Sequence, residues 1–139
     1  MEKKIDFLNS IVSLLPEHFD NEVRKFIACQ FALESDFGQS SLARCNHNFC
    51  GMKVPSLRLT LCSNASSKDY YSFAVYSGIT YCVHDYLIWL VYNKFNRIEY
   101  NSVDAFARHL KYSNYCPDDD YVEKIWSIYY QYCSPKCKS

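Results

Sequence analysis

Between Asp20 and Gly38 the chain spells out one helix from cap to cap. Asp20 is a good N-cap, because a short carboxylate can accept from the unpaired N–H groups of a first helical turn. Val23, Ile27, Gln30 and Glu34 then recur three and four residues apart, which places them on one stripe. Phe37-Gly38 closes the helix, with Gly38 supplying the left-handed position that helix ends favour. A stripe that starts apolar and ends in a carboxylate has a chemical consequence. If the stripe is buried to its end, the charged form is disfavoured and the Glu34 carboxyl can hold a proton near neutral pH; if the helix end reaches solvent, Glu34 is an ordinary surface carboxylate, and periodicity by itself favours this second reading.

The same period recurs elsewhere. Ile5, Leu8, Ile11, Val12 and Leu15 form a first amphipathic helix that Pro16 stops, and Ser40 to Arg44 reads as a short helical turn. A long helix is predicted from Ile79 to about Phe95. Another opens at Ser102, with Val103, Phe106, Ala107 and Leu110 turned inward. A last one starts at Asp120, where Asp120 and Glu123 have capping-box spacing and Val122, Ile125, Ile128 and Tyr129 supply the apolar face. Between Cys45 and Lys68 the periodicity vanishes, and Tyr71 to Tyr76 alternates as a strand, with a partner expected near Arg58 to Leu61. Only three Gly and four Pro interrupt a chain that is 49% hydrophobic, so a core can form without a disulfide framework. The fold class is therefore α+β and predominantly α, one domain over residues 1–139 with a small β lobe at about 52–76.

Charge and hydropathy remove several functions. Fifteen Lys and Arg balance fifteen Asp and Glu without a basic stripe, which argues against nucleic acid. The most apolar run, Ile79 to Val91, is broken by His84 and Asp85 and is too short for the roughly twenty residues of a membrane span. Lys3 and Lys4 precede an apolar stretch, but Asp6, Asn9 and Ser10 break it and no small-residue cleavage site follows before Pro16. It therefore reads as part of the fold rather than an export signal.

Eight cysteines, an even number, point to an oxidising destination. The local pairs Cys45–Cys50 and Cys133–Cys137 are the expected bridges. Cys45, His47 and Cys50, with Cys62 as a fourth ligand, offer a zinc alternative, but the paired Cys-x-x-Cys spacing of common zinc sites is missing. No metal or cofactor is expected, and no cysteine stands in a nucleophile motif. His18, His84 and His109 are dispersed. Helical spacing of Tyr86, Trp89 and Leu90, and of Trp126, Tyr129 and Tyr130, favours packing over ligand contact.

The text around Glu34 narrows the function. Ala32-Leu33-Glu34-Ser35, the following Gly38-Gln39-Ser40 turn, and Asn48-Phe49-Cys50-Gly51-Met52-Lys53 resemble the glucosaminidase-domain family of peptidoglycan hydrolases, glycoside hydrolase family 73. Phe73-Ala74-Val75-Tyr76-Ser77 is similar to that family's strand leading into a long helix. Tyr115-Cys116-Pro117-Asp118-Asp119-Asp120-Tyr121, with Lys124-Ile125, is similar to its Tyr-Ala-Thr-Asp-Pro-x-Tyr-x-x-Lys-Ile signature. The resemblance covers about residues 5 to 132. It implies a lysozyme-like helical body with a small β lobe, and cleavage of the β-1,4 bond after N-acetylglucosamine in peptidoglycan. Glu34 would be the general acid, and Tyr115 would contact the sugar or steady charge beside it. Asn48, Phe49 and Gly51 would shape the cleft, with Tyr76 and Tyr121 as further substrate-binding positions. It also implies a bacteriolytic enzyme of endolysin type acting at the bacterial cell wall or periplasm; the bare catalytic domain without a visible export signal suggests phage origin or another route of delivery, and a monomer is expected.

One family feature is missing. The second acid of the β lobe, in a Thr-x-Glu pattern, has no equivalent in Arg58-Leu59-Thr60-Leu61-Cys62, and Asp69 is the only carboxylate between Asp36 and Asp85. Asp69 is therefore the candidate second carboxylate, and Asp36, on the far side of its helix, reads as a turn residue. Two other readings follow from that gap: a muramidase or lytic transglycosylase on the same fold, or a glycan-binding module without turnover.

Overall fold

The computed structural model describes residues 2–55, 57–62, 64–65, 73–113 and 115–133. In chain order its elements are α1 (Glu2–Leu14), α2 (Asn21–Ser35), α3 (Ser41–Asn46), the two-residue strands β1 (Asn64–Ala65) and β2 (Ala74–Val75), α4 (Ile79–Tyr92), α5 (Arg97–Tyr100), α6 (Val103–Tyr112) and α7 (Tyr121–Tyr132). The architecture is predominantly α and lysozyme-like, and the strands among the described residues form one small antiparallel pair.

Helix α2 is the axis. The Asp20 carboxylate accepts from the Glu22 N–H at 3.0 Å, as its cap position predicts. Val23, Phe26, Ile27, Ala28, Cys29, Gln30, Phe31 and Ala32 are all buried, so its middle turns have no solvent face. α1, α6 and α7 pack around it. Each large side chain buried there contributes about 1.5–3 kcal/mol relative to exposure.

The end of α2 is shaped by its last residues. Ser35 Oγ donates to the Phe31 carbonyl at 2.7 Å and accepts from the Gly38 N–H at 2.9 Å, holding the chain as it leaves the helix. Asp36, Phe37 and Gly38 all adopt the left-handed region, at φ 50°, 54° and 83°. A Cβ on Gly38 would meet the Phe7 ring at 3.0 Å, so glycine is needed there both for its backbone and for the approach of α1.

Four local expectations are corrected. The long helix α4 stops at Tyr92 rather than Phe95: Lys94 turns left-handed at φ 71°, and Phe95 folds back into the core with its N–H on the Leu90 carbonyl. The short helix α5, not foreseen, is opened by a capping box between Asn96 and Glu99. Asp120 stands at the N-cap of α7 without a side-chain cap bond, because its carboxylate faces Lys124 at 3.5 Å. The partner of Ala74–Val75 is Asn64–Ala65, not Arg58–Leu61, which Asp85 of α4 holds instead. Of the predicted strand, Tyr71 and Ser72 lie outside the described residues.

Candidate active site

Glu34 occupies the last turn of α2, half-buried, and the backbone opposite it comes unusually close. A Cβ built on Gly51 would lie 2.6 Å from Glu34 Oε1 and 3.2 Å from its Cδ. Gly51 also has φ +73°, a region an L side chain adopts only at a cost. The segment is held from below by Asn48, which is 1% exposed. Its Oδ1 accepts from the Gly51 N–H at 3.0 Å and the Met52 N–H at 3.2 Å, while its Nδ2 donates to the Met52 and Ala74 carbonyls at 2.8 and 3.0 Å. Asn48 thus ties the Gly51 turn to β2. Phe49 is half-buried, with its ring 6.3 Å from that of Phe7.

Three tyrosines and a glutamine surround the acid. The Tyr121 hydroxyl accepts from Gln30 Nε2 at 3.0 Å and donates toward the Glu34 carboxylate. Gln30 is fully buried and its Oε1 accepts from the Tyr86 hydroxyl, so every polar atom of its side chain faces the site's own network. Tyr115 donates its hydroxyl to the Cys50 carbonyl, stacks on Tyr121 at 5.9 Å and meets Trp89 edge to face at 4.8 Å. Burial raises the Glu34 carboxyl above the ordinary carboxylate range, and the hydrogen bond from Tyr121 partly offsets it. The phenols of Tyr86, Tyr115 and Tyr121 are pushed well above the usual tyrosine range by burial and stay neutral. The outcome is a carboxyl that keeps its proton to higher pH than an exposed one, beside a neutral donor that favours the carboxylate left behind.

A cleft of about 470 Å³ opens beside this group, lined among others by Gly51, Met52, Lys53, Arg58, Trp89 and Tyr115. Trp89, read from its spacing as a packing residue, does both: it packs on Tyr115 and lines the cleft. The β-lobe wall is fastened to α4 by Asp85. This fully buried carboxylate accepts from Arg58 Nη1 at 2.8 Å, Thr60 Oγ1 at 3.0 Å, the Leu61 N–H at 3.1 Å and the Tyr76 hydroxyl. Burial alone would raise Asp85, but the Arg58 and Tyr76 bonds hold it below the ordinary range. In the sequence Asp85 showed only as an interruption of an apolar run.

The sequence-derived positions therefore separate. Glu34, Asn48, Gly51, Tyr115 and Tyr121 converge, and Phe49 flanks them. Tyr76 does not join them: it is 1% exposed, with its hydroxyl on Asp85, so it supports the lobe instead of contacting a sugar. Asp69 lies outside the described residues, as does Cys137 of the expected Cys133–Cys137 bridge. Cys45 is exposed and Cys50 fully buried beside Cys82, so the expected Cys45–Cys50 pair is not formed. Among the described residues no group of three His, Cys, Asp or Glu converges on a metal position, and no helix is long and apolar enough to cross a membrane.

A family model described as glucosaminidase, mannosyl-glycoprotein endo-beta-N-acetylglucosaminidase, matches residues 20–134, from the cap of α2 to just past α7. The class is thus glycoside hydrolase, with peptidoglycan hydrolysis as its general activity. Within that class the chain belongs to the glucosaminidase family. A solved type VI secretion system effector–immunity complex from Pseudomonas protegens is similar in fold, with a TM-score of 0.63 at 16% identity, covering 91% of this chain and 93% of that one. Among curated proteins no relative matches the sequence.

Proposed function

We propose that the chain, acting as a monomer with residues 1–139 as one catalytic domain, cleaves the β-1,4 bond after N-acetylglucosamine in peptidoglycan glycan strands, with Glu34 as general acid. The observation that carries this reading is the environment of Glu34: a half-buried carboxyl packed against Gly51, which lines the cleft, raised by desolvation and hydrogen-bonded by the neutral Tyr121 hydroxyl. Protonated Glu34 gives its proton to the glycosidic oxygen as the bond to the anomeric carbon breaks. Charge then develops on the carboxylate, and the Tyr121 hydroxyl, already accepting from Gln30, is free to donate to it. Tyr115 and Trp89 offer aromatic faces to the sugar rings. Asp69 is the candidate partner carboxylate, with the substrate's own acetamido oxygen as its replacement.

The site of action is the bacterial cell wall, outside the cytoplasm. A phage-encoded lysin and a protein delivered like the effector of the neighbouring structure both reach that place. The test is fragment release from purified peptidoglycan by wild type and Glu34→Gln. Reducing N-acetylglucosamine ends that disappear in the variant support the reading. Ends in 1,6-anhydro-muramic acid would assign a lytic transglycosylase, and tight binding without any release would assign a glycan-binding module.

A further inference from the structure

Two thiol pairs, far apart in sequence, meet in the fold. Cys29 Sγ of α2 lies 3.6 Å from Cys133 Sγ at the end of α7, and Cys50 Sγ, beside Gly51, lies 3.5 Å from Cys82 Sγ in α4. Neither pair is the local one that spacing favours, and both distances are hydrogen-bonding contacts between thiols. We propose that these are two disulfide sites, Cys29–Cys133 and Cys50–Cys82, which close by exchange with a disulfide oxidant and fasten α7 to α2 and the Gly51 turn to α4. To bond, the sulfurs have to close from these contacts to about 2.05 Å, a step of the size that side-chain rotation supplies. The place of action argued above is one where such bonds persist, but the pairing itself rests on the geometry alone.

The two sites differ in access, and this sets an order. Cys133 is half-buried, and the Cys29 thiol together with Lys25 lowers it below an ordinary thiol, so it is the attacking sulfur. Its thiolate attacks one sulfur of the oxidant's disulfide, forming a mixed disulfide and releasing one thiol. Cys29 then loses its proton and attacks the Cys133 sulfur, releasing the second thiol. The protein loses two hydrogens, and the oxidant's disulfide becomes two thiols. Cys50 and Cys82 are both fully buried, so no oxidant reaches them in the packed protein. Their bond forms only while the chain is folding or when the 48–52 turn opens.

The probe is oxidised glutathione. Incubated with the folded, reduced protein, it is expected to give a proteolytic peptide joining Cys29 to Cys133, while accessible unpaired thiols such as Cys45 carry glutathione instead. Denaturation and refolding in a glutathione redox buffer is expected to add a Cys50–Cys82 peptide. Cys133→Ser should abolish the first bridge and keep the second after refolding; Cys29→Ser, probed the same way, covers the case in which that variant fails to fold. Bridges joining Cys133 to Cys137 or Cys45 to Cys50 would overturn the proposal, and so would thiols that all remain alkylable after oxidative refolding. None of these readouts depends on cleavage of peptidoglycan, so they stand or fall apart from the enzymatic reading.

Discussion

Replacing Gly51 by alanine tests whether the position of the acid is set by the backbone facing it. The added Cβ would lie 2.6 Å from Glu34 Oε1, whereas ordinary van der Waals contact begins at 3.4 Å, so one partner has to retreat by about 0.8 Å. The turn cannot yield easily, because Asn48 holds the N–H groups of Gly51 and Met52 and both ends of the turn are tied to β2. Glu34 therefore moves. A displacement near 1 Å in a reacting group costs about 10²-fold in rate, or about 2.7 kcal/mol in the barrier. The left-handed backbone adds about 1–2 kcal/mol to the folding cost. The assay is kcat on purified peptidoglycan, with a thermal melt alongside. Gly78→Ala is the internal control, since its φ of 175° is ordinary extended backbone and a Cβ there meets nothing within 4 Å. A Gly51→Ala enzyme within about threefold of Gly78→Ala in kcat would refute the reasoning, since an acid displaced by this contact loses about 10²-fold.

Three further outcomes are expected. Tyr121→Phe removes the bond that lowers Glu34, so the carboxyl stays protonated to higher pH; the basic limb of the pH–rate profile should move upward while kcat falls, and a downward move would contradict the assignment. Asp85→Asn leaves Arg58, whose side chain is 5% exposed, without its counter-charge and should cost about 3–5 kcal/mol in denaturant unfolding. Because Asp85 is lowered in the folded protein, its contribution is present above the ordinary carboxylate range and lost as pH falls through its own value, so the gap between the two proteins should shrink in acid. Asp69→Asn should lose less than about tenfold in kcat, about 1.4 kcal/mol; a larger loss in the peptidoglycan assay would make it the second carboxylate.

What could be read in advance follows from range. The stripe Val23, Ile27, Gln30, Glu34 and the Asp20 cap are local, and the structure reproduces both. The role of Gln30 is not local: its partners Tyr86 and Tyr121 are 56 and 91 residues away, and periodicity carries no record of them. Asp85 was hidden for the same reason, since its ligands sit in a segment without any period. Asp120 shows the opposite failure. The capping-box spacing is present, but the carboxylate stands near the Lys124 amine and the box does not close. For the cysteines, nearness in sequence favoured Cys45–Cys50, whereas packing of α4 beneath the Gly51 turn set Cys82 against Cys50 across 32 residues.

The anchoring of the β lobe also bears on how the protein is made. Arg58, Thr60, Leu61 and Tyr76 all precede Asp85 in the chain, and each gives that one carboxylate a hydrogen bond. During synthesis they emerge first and have no partner until the first two turns of α4 exist. The wall of the cleft therefore docks late, after a helix that follows it in sequence, and a nascent chain paused before Asp85 carries the acid-bearing segment with neither its cleft wall nor the helices α6 and α7 that pack against it.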